Sequence, residues 1–476
     1  MKKYLALIGA GILVVALVSP AMAQQDWTKG FKTTSIFQIW SNWIQKQDLN
    51  TNNGSTDSTT WNRDTTTKGL SSRVNFYLEY GDAKFVRGVV GFEMDSTNWG
   101  ESQWASADTT YSNPNNKMGV RNTDQVQLEI KHAYLDFAIP STPLRLSLGL
   151  QGFYIGGRLF QSMDSPGAIV TADFAPHKIM AYWWREKDGV GSTSTQIATD
   201  RTKYNVNDTY ALQYQLSQKL FNVYTYLAYK NDLQTSSSYS DHPYWFGVGG
   251  GFRPGNFDLS GQFVYLGGKR DYTDASGTSD QDYTAWAAEL LATYRIGPGL
   301  AAAIEGYYST GNDADDTSKI KRYDSAAGSE TYSGFGFDRS VLTFMNFGQL
   351  GGQHNKFGAT YTGLYYGRLN AEYSPLAWLR LNANYLYIGD TTKGTVGAGK
   401  VVNTAISGAT QNKDENFVGH EINLITTLKI YQNFTYRFGL GYFIPGPVFD
   451  VYNSAGEKIK SADAMWGFNT GCQLAF

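Results

Sequence analysis

Apolar and polar residues alternate with a period of two along much of this chain of 476 residues. In 70–80, 144–150, 210–216, 379–387 and 434–444, and most cleanly in 357–373, every second side chain is apolar, aromatic or small while its neighbours are mostly polar. Successive side chains of a strand point to opposite faces, so this pattern predicts strands with one dry and one wet side.

The segments between these runs are of two kinds that take turns. Short connectors sit at 81–83, 139–143, 175–176, 217–219, 254–256, 296–298, 374–377 and 431–433. Long polar ones sit at 45–68, 97–122, 152–164, 187–207, 231–242, 267–282, 310–356, 390–416 and 446–463. Eight tight turns alternating with nine long loops predict an all-β chain, a transmembrane antiparallel β-barrel of about eighteen strands with short periplasmic turns and long extracellular loops. The hairpin 168–185 and the stretch 334–352 decide the count, which falls to sixteen if the hairpin belongs to a loop.

Both chain ends fit export to an outer membrane. Lys2 and Lys3, an apolar run over 5–18, Pro20 and the small-residue site Ala21-Met22-Ala23 have the grammar of a secretory signal peptide, 1–23. The run is shorter than the roughly 20 residues a spanning helix needs. The mature chain, 24–476, is then one barrel pore domain that begins at Gln24; the lack of a cysteine there argues against a lipid anchor. At the other end Trp466, Phe468, Thr470, Cys472, Leu474 and Phe476 share one face of a last strand. A terminal Phe476 closing such a strand resembles the assembly signal of bacterial outer-membrane proteins.

Composition adds a membrane that hydropathy would miss. Mean hydropathy is −0.36, yet 33 Tyr, 26 Phe and 12 Trp exceed the needs of a soluble core and suit aromatic girdles at two interfaces. Formal net charge is −2, and loss of Lys2 and Lys3 with the signal takes it to −4, which gives no reason to expect nucleic acid. Cys472 is the single cysteine, so rigidity has to come from barrel closure and not from a disulfide.

No haem-attachment motif is present, and no cofactor is expected. The cluster Asn312, Asp313, Asp315 and Asp316 lacks the spacing of a calcium loop and reads as a solvated tip, so no metal is assigned. By strand parity His132 and His420 face lipid, and His177 falls at a turn. Asp241 and His242 are merely adjacent, and no nucleophile–base–acid grouping appears, so an enzyme is not expected.

Candidate functional residues are the charges on the wet parity: Arg73, Glu79, Arg87, Glu93, Glu129, Lys131 and Arg145. An Arg or Lys facing lipid at the bilayer midplane costs roughly 2–4 kcal/mol, so they are expected to line the lumen. The third long loop, 152–164, is glycine-rich and apolar, and it carries Arg158 and Asp164. It is expected to fold inward, setting Asp164 across the narrowest section from Arg73 and Lys131. The long seventh loop, 310–356, is the rival constriction.

The run Val126-Gln127-Leu128-Glu129-Ile130-Lys131-His132-Ala133-Tyr134-Leu135-Asp136-Phe137, followed by Ile139-Pro140 and Leu148-Gly149-Leu150-Gln151-Gly152, resembles the bacterial porins. It is similar in particular to the homotrimeric outer-membrane porins of sulfate-reducing and related anaerobic bacteria. The resemblance covers about 85–185 and implies a trimer of separate pores in outer-membrane lipid, an inward third loop, and passive uptake of small hydrophilic solutes. A substrate-selective binding channel, or a barrel enclosing a separate cytochrome, is the alternative.

Overall fold

The computed structural model describes residues 30–45, 66–99, 117–118, 128–157, 159–189, 205–232, 239–272, 279–313, 316–324, 339–342, 363–392, 409–410, 415–447, 450–453, 457–461 and 463–476. The proposed signal peptide and cleavage site, Arg158, Asp315 and the start of the 357–373 run lie outside them.

Eighteen strands form one antiparallel barrel. They are β1 Lys32–Gln45, β2 Thr66–Asp82, β3 Val86–Trp99, β4 Glu129–Ala138, β5 Leu144–Ile155, β6 Gln161–Phe174, β7 His177–Gly189, β8 Asn205–Ser217 and β9 Phe221–Asp232. The second half comprises β10 Tyr239–Phe252, β11 Phe257–Tyr272, β12 Gln281–Gly297, β13 Leu300–Ser309, β14 Leu364–Leu376, β15 Leu379–Gly389, β16 Phe417–Tyr431, β17 Phe434–Pro445 and β18 Met465–Ala475. Each pairs with its successor, and β1 pairs with β18 from Ile36↔Ala475 to Gln45↔Trp466, which closes the sheet and leaves no edge. Phe476 seals that seam: its N–H donates to Ser35 O at 3.0 Å, its carbonyl accepts from Ser35 N–H at 2.6 Å, and its ring stacks on Phe37.

The hairpin 168–185 is a true pair of barrel strands, in register from Gly167↔Trp184 to Phe174↔His177, so the count is eighteen and not sixteen. All eight short connections lie at one end and span two to five residues. Around the long-loop end Ala409–Thr410, Val451–Asn453 and Lys458–Lys460 make a small separate sheet.

Alternation sorts the side chains as the period demands. Outward positions of mid-strand are aliphatic, as at Ile39, Leu135, Val170, Leu227, Ile304 and Leu440, all exposed. Aromatics bound this belt on both sides. Toward the short turns stand Tyr80, Phe174, Phe221, Phe252 and Tyr373; toward the long loops stand Trp43, Trp183, Tyr229, Tyr244 and Trp466. On β9 the girdles are eight residues apart, Phe221 to Tyr229. That is about 26 Å along a strand and roughly 20 Å along the barrel axis at ~40° tilt, close to the ~25 Å apolar band of such barrels. The buried residues of the same strands, such as Tyr226, Ala228, Trp245 and Glu305, face inward.

Candidate functional site

The lumen is narrowed where one hairpin leaves the wall. Pairing of β4 with β5 stops at Ala133↔Leu150, although β4 begins at Glu129 and β5 runs on to Ile155. Pairing of β6 with β7 likewise stops at Gly167↔Trp184, while β5 and β6 stay joined to Ile155↔Gln161. The backbones of 151–155 and 161–165 therefore pair with each other and with neither neighbouring strand, and the hairpin turns into the barrel. The tip crosses to the wall beyond β7. There the Gly156 N–H donates to Gln213 Oε1 at 3.4 Å, and Phe160 stacks on Tyr226 at 4.8 Å and tilts against Trp245 at 5.4 Å.

Local sequence makes this turn possible. Gly156 and Gly157 adopt φ of +67° and +62°, a region side chains rarely tolerate, and a Cβ on Gly156 would lie 2.3 Å from the Tyr226 ring. Phe153 and Ile155 continue the inward row of β5, with Phe153 5.4 Å from Trp184. Phe153, Ile155 and Phe160 are fully buried, each stabilising the docked hairpin by about 1.5–3 kcal/mol.

Most of the expected loop 152–164 is thus strand, and only 156–160 connects. Asp164 belongs to β6 and does not face Lys131 across the opening; it is bonded to it. Lys131 Nζ lies 2.9 Å from Asp164 and 3.0 Å from Glu93, and Arg73 lies 3.9 Å from Glu93. The cause is the lean of the hairpin over the free end of β4, which brings the Asp164 face against Lys131. Opposite charges in a low-dielectric setting gain most in contact. A transverse field between separated charges is replaced here by pairs.

His132 also departs from its expected lipid-side place. A register shift between Gly91 and Phe92 shows a bulge at Lys131, and a bulge turns two consecutive side chains to one face. His132 consequently points inward, with Nε2 2.9 Å from Asp164 and its ring 5.4 Å from Tyr77. The same shift puts Asp136 on the lumen side, where Arg87 and Arg145 meet it at 2.9 and 2.5 Å beside the short turns; Arg87 also binds Glu79 at 2.8 Å. Glu129, at the start of β4, is exposed. His420 stays outward, its Nδ1 2.7 Å from the Tyr385 hydroxyl and its ring against Phe417.

A second cluster, on the inner face of β13–β17, was not among the candidates. Fully buried Glu305 accepts from Tyr366 at 2.7 Å and is paired with Arg368 and Arg339, each at 2.6 Å. Glu421 grips the segment 339–342: it accepts from Ser340 Oγ at 2.8 Å and from the N–H groups of Val341 and Leu342 at 2.6 and 3.1 Å. Val341 and Leu342 lie in the space that Gly439 and Gly441 leave open on β17. The signal for this cluster was in the sequence, since Glu305 and Glu421 interrupt strands next to outward Ile304 and Ile422.

The third and seventh connections meet inside the barrel. Tyr323 donates its hydroxyl to Leu159 O at 2.5 Å, and Trp245 Nε1 donates to Asp324 O at 2.9 Å. In the acidic patch, Lys321 Nζ lies 2.9 Å from Asp316 and 3.4 Å from Asp313, and the hydrogen bond to Asp316 raises the lysine pKa. Asn312 Oδ1 accepts from the N–H groups of Lys321 and Arg322. A lysine already occupies the place a cation would take.

No family model and no curated protein matches the sequence. Among solved structures the chain is similar to OccAB1 of Acinetobacter baumannii, at 10% identity and a TM-score of 0.50 over 95% of this chain and 100% of that one. OccK11 (OpdR) of Pseudomonas aeruginosa matches at 9% identity and a TM-score of 0.49, over 94% and 96%. An anion-selective porin from Comamonas acidovorans matches at 9% and 0.43, over 94% and 99%. The likeness runs the length of the chain and is one of fold: the closed barrel of bacterial porins.

Proposed function

We propose that the chain is a bacterial outer-membrane porin that lets small hydrophilic solutes and ions diffuse passively through its lumen. One observation carries this reading: a closed barrel whose outer face is an aliphatic belt between two aromatic girdles, and whose inner face holds ion pairs. In water the belt would be a large exposed apolar surface, which soluble monomers rarely carry. In a bilayer it is matched, because closure pairs the backbone groups of neighbouring strands within the wall. The inward hairpin then sets the width that solutes meet, with Arg73, Glu93, Lys131 and Asp164 as charges at the constriction.

The same reading takes the short turns as periplasmic, cleavage after Ala23, Phe476 as the assembly signal at the seam, and a homotrimer. Kinship with the porins of sulfate-reducing anaerobes rests on the sequence resemblance over about 85–185. Chemistry on substrates is no part of it. Purified, folded protein in a planar bilayer should give stepwise conductance that rises with salt concentration. Silent bilayers with folded protein would sink the reading. N-terminal sequencing of the membrane form tests the cleavage site, and cross-linking of folded protein in detergent tests the trimer.

A further inference from the structure

We infer that the inner face of β12–β15 holds a binding site for a neutral polyhydroxylated solute, a single sugar ring; the inference rests on the channel reading and names a solute class for it. Thr293, Ala303, Asn370, Asn384 and Asn423 stand opposite one another in one row across the five strands β12–β16. The row faces the lumen, because the residues next to four of its members, Ile304, Leu369, Tyr385 and Leu424, are exposed on the outer wall.

The three asparagines form a hydrogen-bond chain with a direction. Asn370 Nδ2 donates to Asn384 Oδ1 at 3.0 Å, Asn384 Nδ2 to Asn423 Oδ1 at 2.9 Å, and Asn423 Nδ2 to Glu421 Oε1 at 3.0 Å. Charged groups fix that direction. The Glu421 carboxylate can only accept, and Arg368 Nη1, which can only donate, also holds Asn384 Oδ1 at 2.8 Å. Turning any of these amides over would set donor against donor or acceptor against acceptor. Asn370 must therefore give its nitrogen to the wall, where it also serves Asn382 Oδ1 and Ala383 O. Left over are Asn370 Oδ1 and Asn382 Nδ2. Neither has a partner among the described residues, and both reach the lumen surface.

An open acceptor near an open donor is complementary to hydroxyls, each of which is both. Thr293 supplies a further hydroxyl that makes no hydrogen bond among the described residues. Between Thr293 and Asn370 lie two strand spacings, about 10 Å, floored by the Ala303 methyl. A polar ring with hydroxyls at both ends spans that floor, whereas a small amide reaches one end only. Charge on either flank is already compensated: Glu305 pairs with Arg368 at 2.6 Å and Glu372 with Arg380 at 3.8 Å. The patch between these pairs offers donors and acceptors without net charge, so an ion gains nothing there to offset its lost hydration.

The test uses full-length folded protein with glucose, against glucuronate, which is the same ring with a carboxylate, and acetamide. In bilayers glucose should reduce single-channel current saturably, and glucuronate and acetamide should need at least about tenfold higher concentrations. Thr293→Val, isosteric but without the hydroxyl, should raise the half-blocking glucose concentration about fivefold, and Asn382→Leu should do so to a similar extent, the effect of one neutral hydrogen bond each. Saturation-transfer NMR from the protein in detergent to glucose reads binding without conduction and should weaken in both variants. Unchanged glucose block in both variants, glucuronate or acetamide as effective as glucose, or neither block nor transfer in a conducting wild type each overturns the site. Silent bilayers beside intact transfer to glucose would overturn the channel reading and leave the site standing.

Discussion

The hairpin 151–165 and the segment 339–342 both occupy the lumen, yet the first is docked by rings spread over several strands, while three consecutive residues of the second hang on one carboxylate, Glu421, beside the Arg339–Glu305 pair. Phe153 rests on Trp184, and Phe160 on Tyr226 and Trp245, so the hairpin's docking is shared among contacts that do not depend on each other. Ser340, Val341 and Leu342 all donate to Glu421. Distributed apolar docking tolerates the loss of one member; a shared acceptor does not, because removing it leaves every donor unmet at once. The difference teaches that two inserts of one lumen can be equally buried and still have unequal ways to fail.

The largest effect should come from removing an insert altogether. Joining Gln151 to Ser165 through an Asn-Gly turn should raise single-channel conductance more than excision of 339–342, because the hairpin spans from β5 to β10 whereas the segment lies against β17. Reversal of that order in bilayer recordings would assign the constriction to the 310–363 connection.

Single substitutions then separate the two modes of holding. Glu421→Ala should free 339–342, each abandoned donor costing about 1–3 kcal/mol while it stays buried. Added current noise and new protease cleavage within the segment would report it. Glu421→Gln keeps an acceptor oxygen and should give a smaller change. Phe160→Ala removes one ring at about 3–5 kcal/mol, but Phe153 and Ile155 remain, so conductance should rise less than in Glu421→Ala. If Phe160→Ala matches the hairpin deletion, the docking is not distributed.

How much of this was readable in advance follows from what period-two alternation encodes. Strand number, closure and the turn order were legible because each depends on local pattern: the hairpin 168–185 alternates, turns at 175–176 and alternates again. The inward bend of the third connection was legible from its apolar character. The contact of Asp164 with Lys131 was not, because it depends on how the hairpin leans over β4; its contact with His132 was not, because one extra residue at Lys131 reverses parity for the rest of β4 and sequence spacing does not mark the bulge. Glu305 and Glu421 were visible as charges on apolar strands, but their role depends on a segment 79 to 81 residues away from Glu421 in sequence, which periodicity says nothing about.

The smallest effect, and the finest test of the pairing, concerns Lys131. Its ammonium stands between Glu93 and Asp164, with Arg73 at the far side of Glu93. Lys131→Met removes one positive charge from the lumen and leaves both carboxylates, so reversal potentials in a salt gradient should shift toward cations. The shift should be clear near 0.1 M salt, where the Debye length is about 10 Å, and largely lost near 1 M, where it is about 3 Å. Lys131→Arg should leave selectivity almost where it was. Asp164→Asn alone should move it toward anions. The geometry adds a sharper demand, because residues in contact are not independent. In the double variant Lys131→Met/Asp164→Asn, the two opposite shifts should not simply sum: the contact at 2.9 Å is gone from both sides at once, and Glu93 keeps Arg73 beside it. Each single variant, by contrast, leaves a partner charge exposed to the lumen and should add current noise that the double variant lacks. Noise that accumulates from single to double would mean that Asp164 and Lys131 act separately, as charges on opposite sides of the opening would.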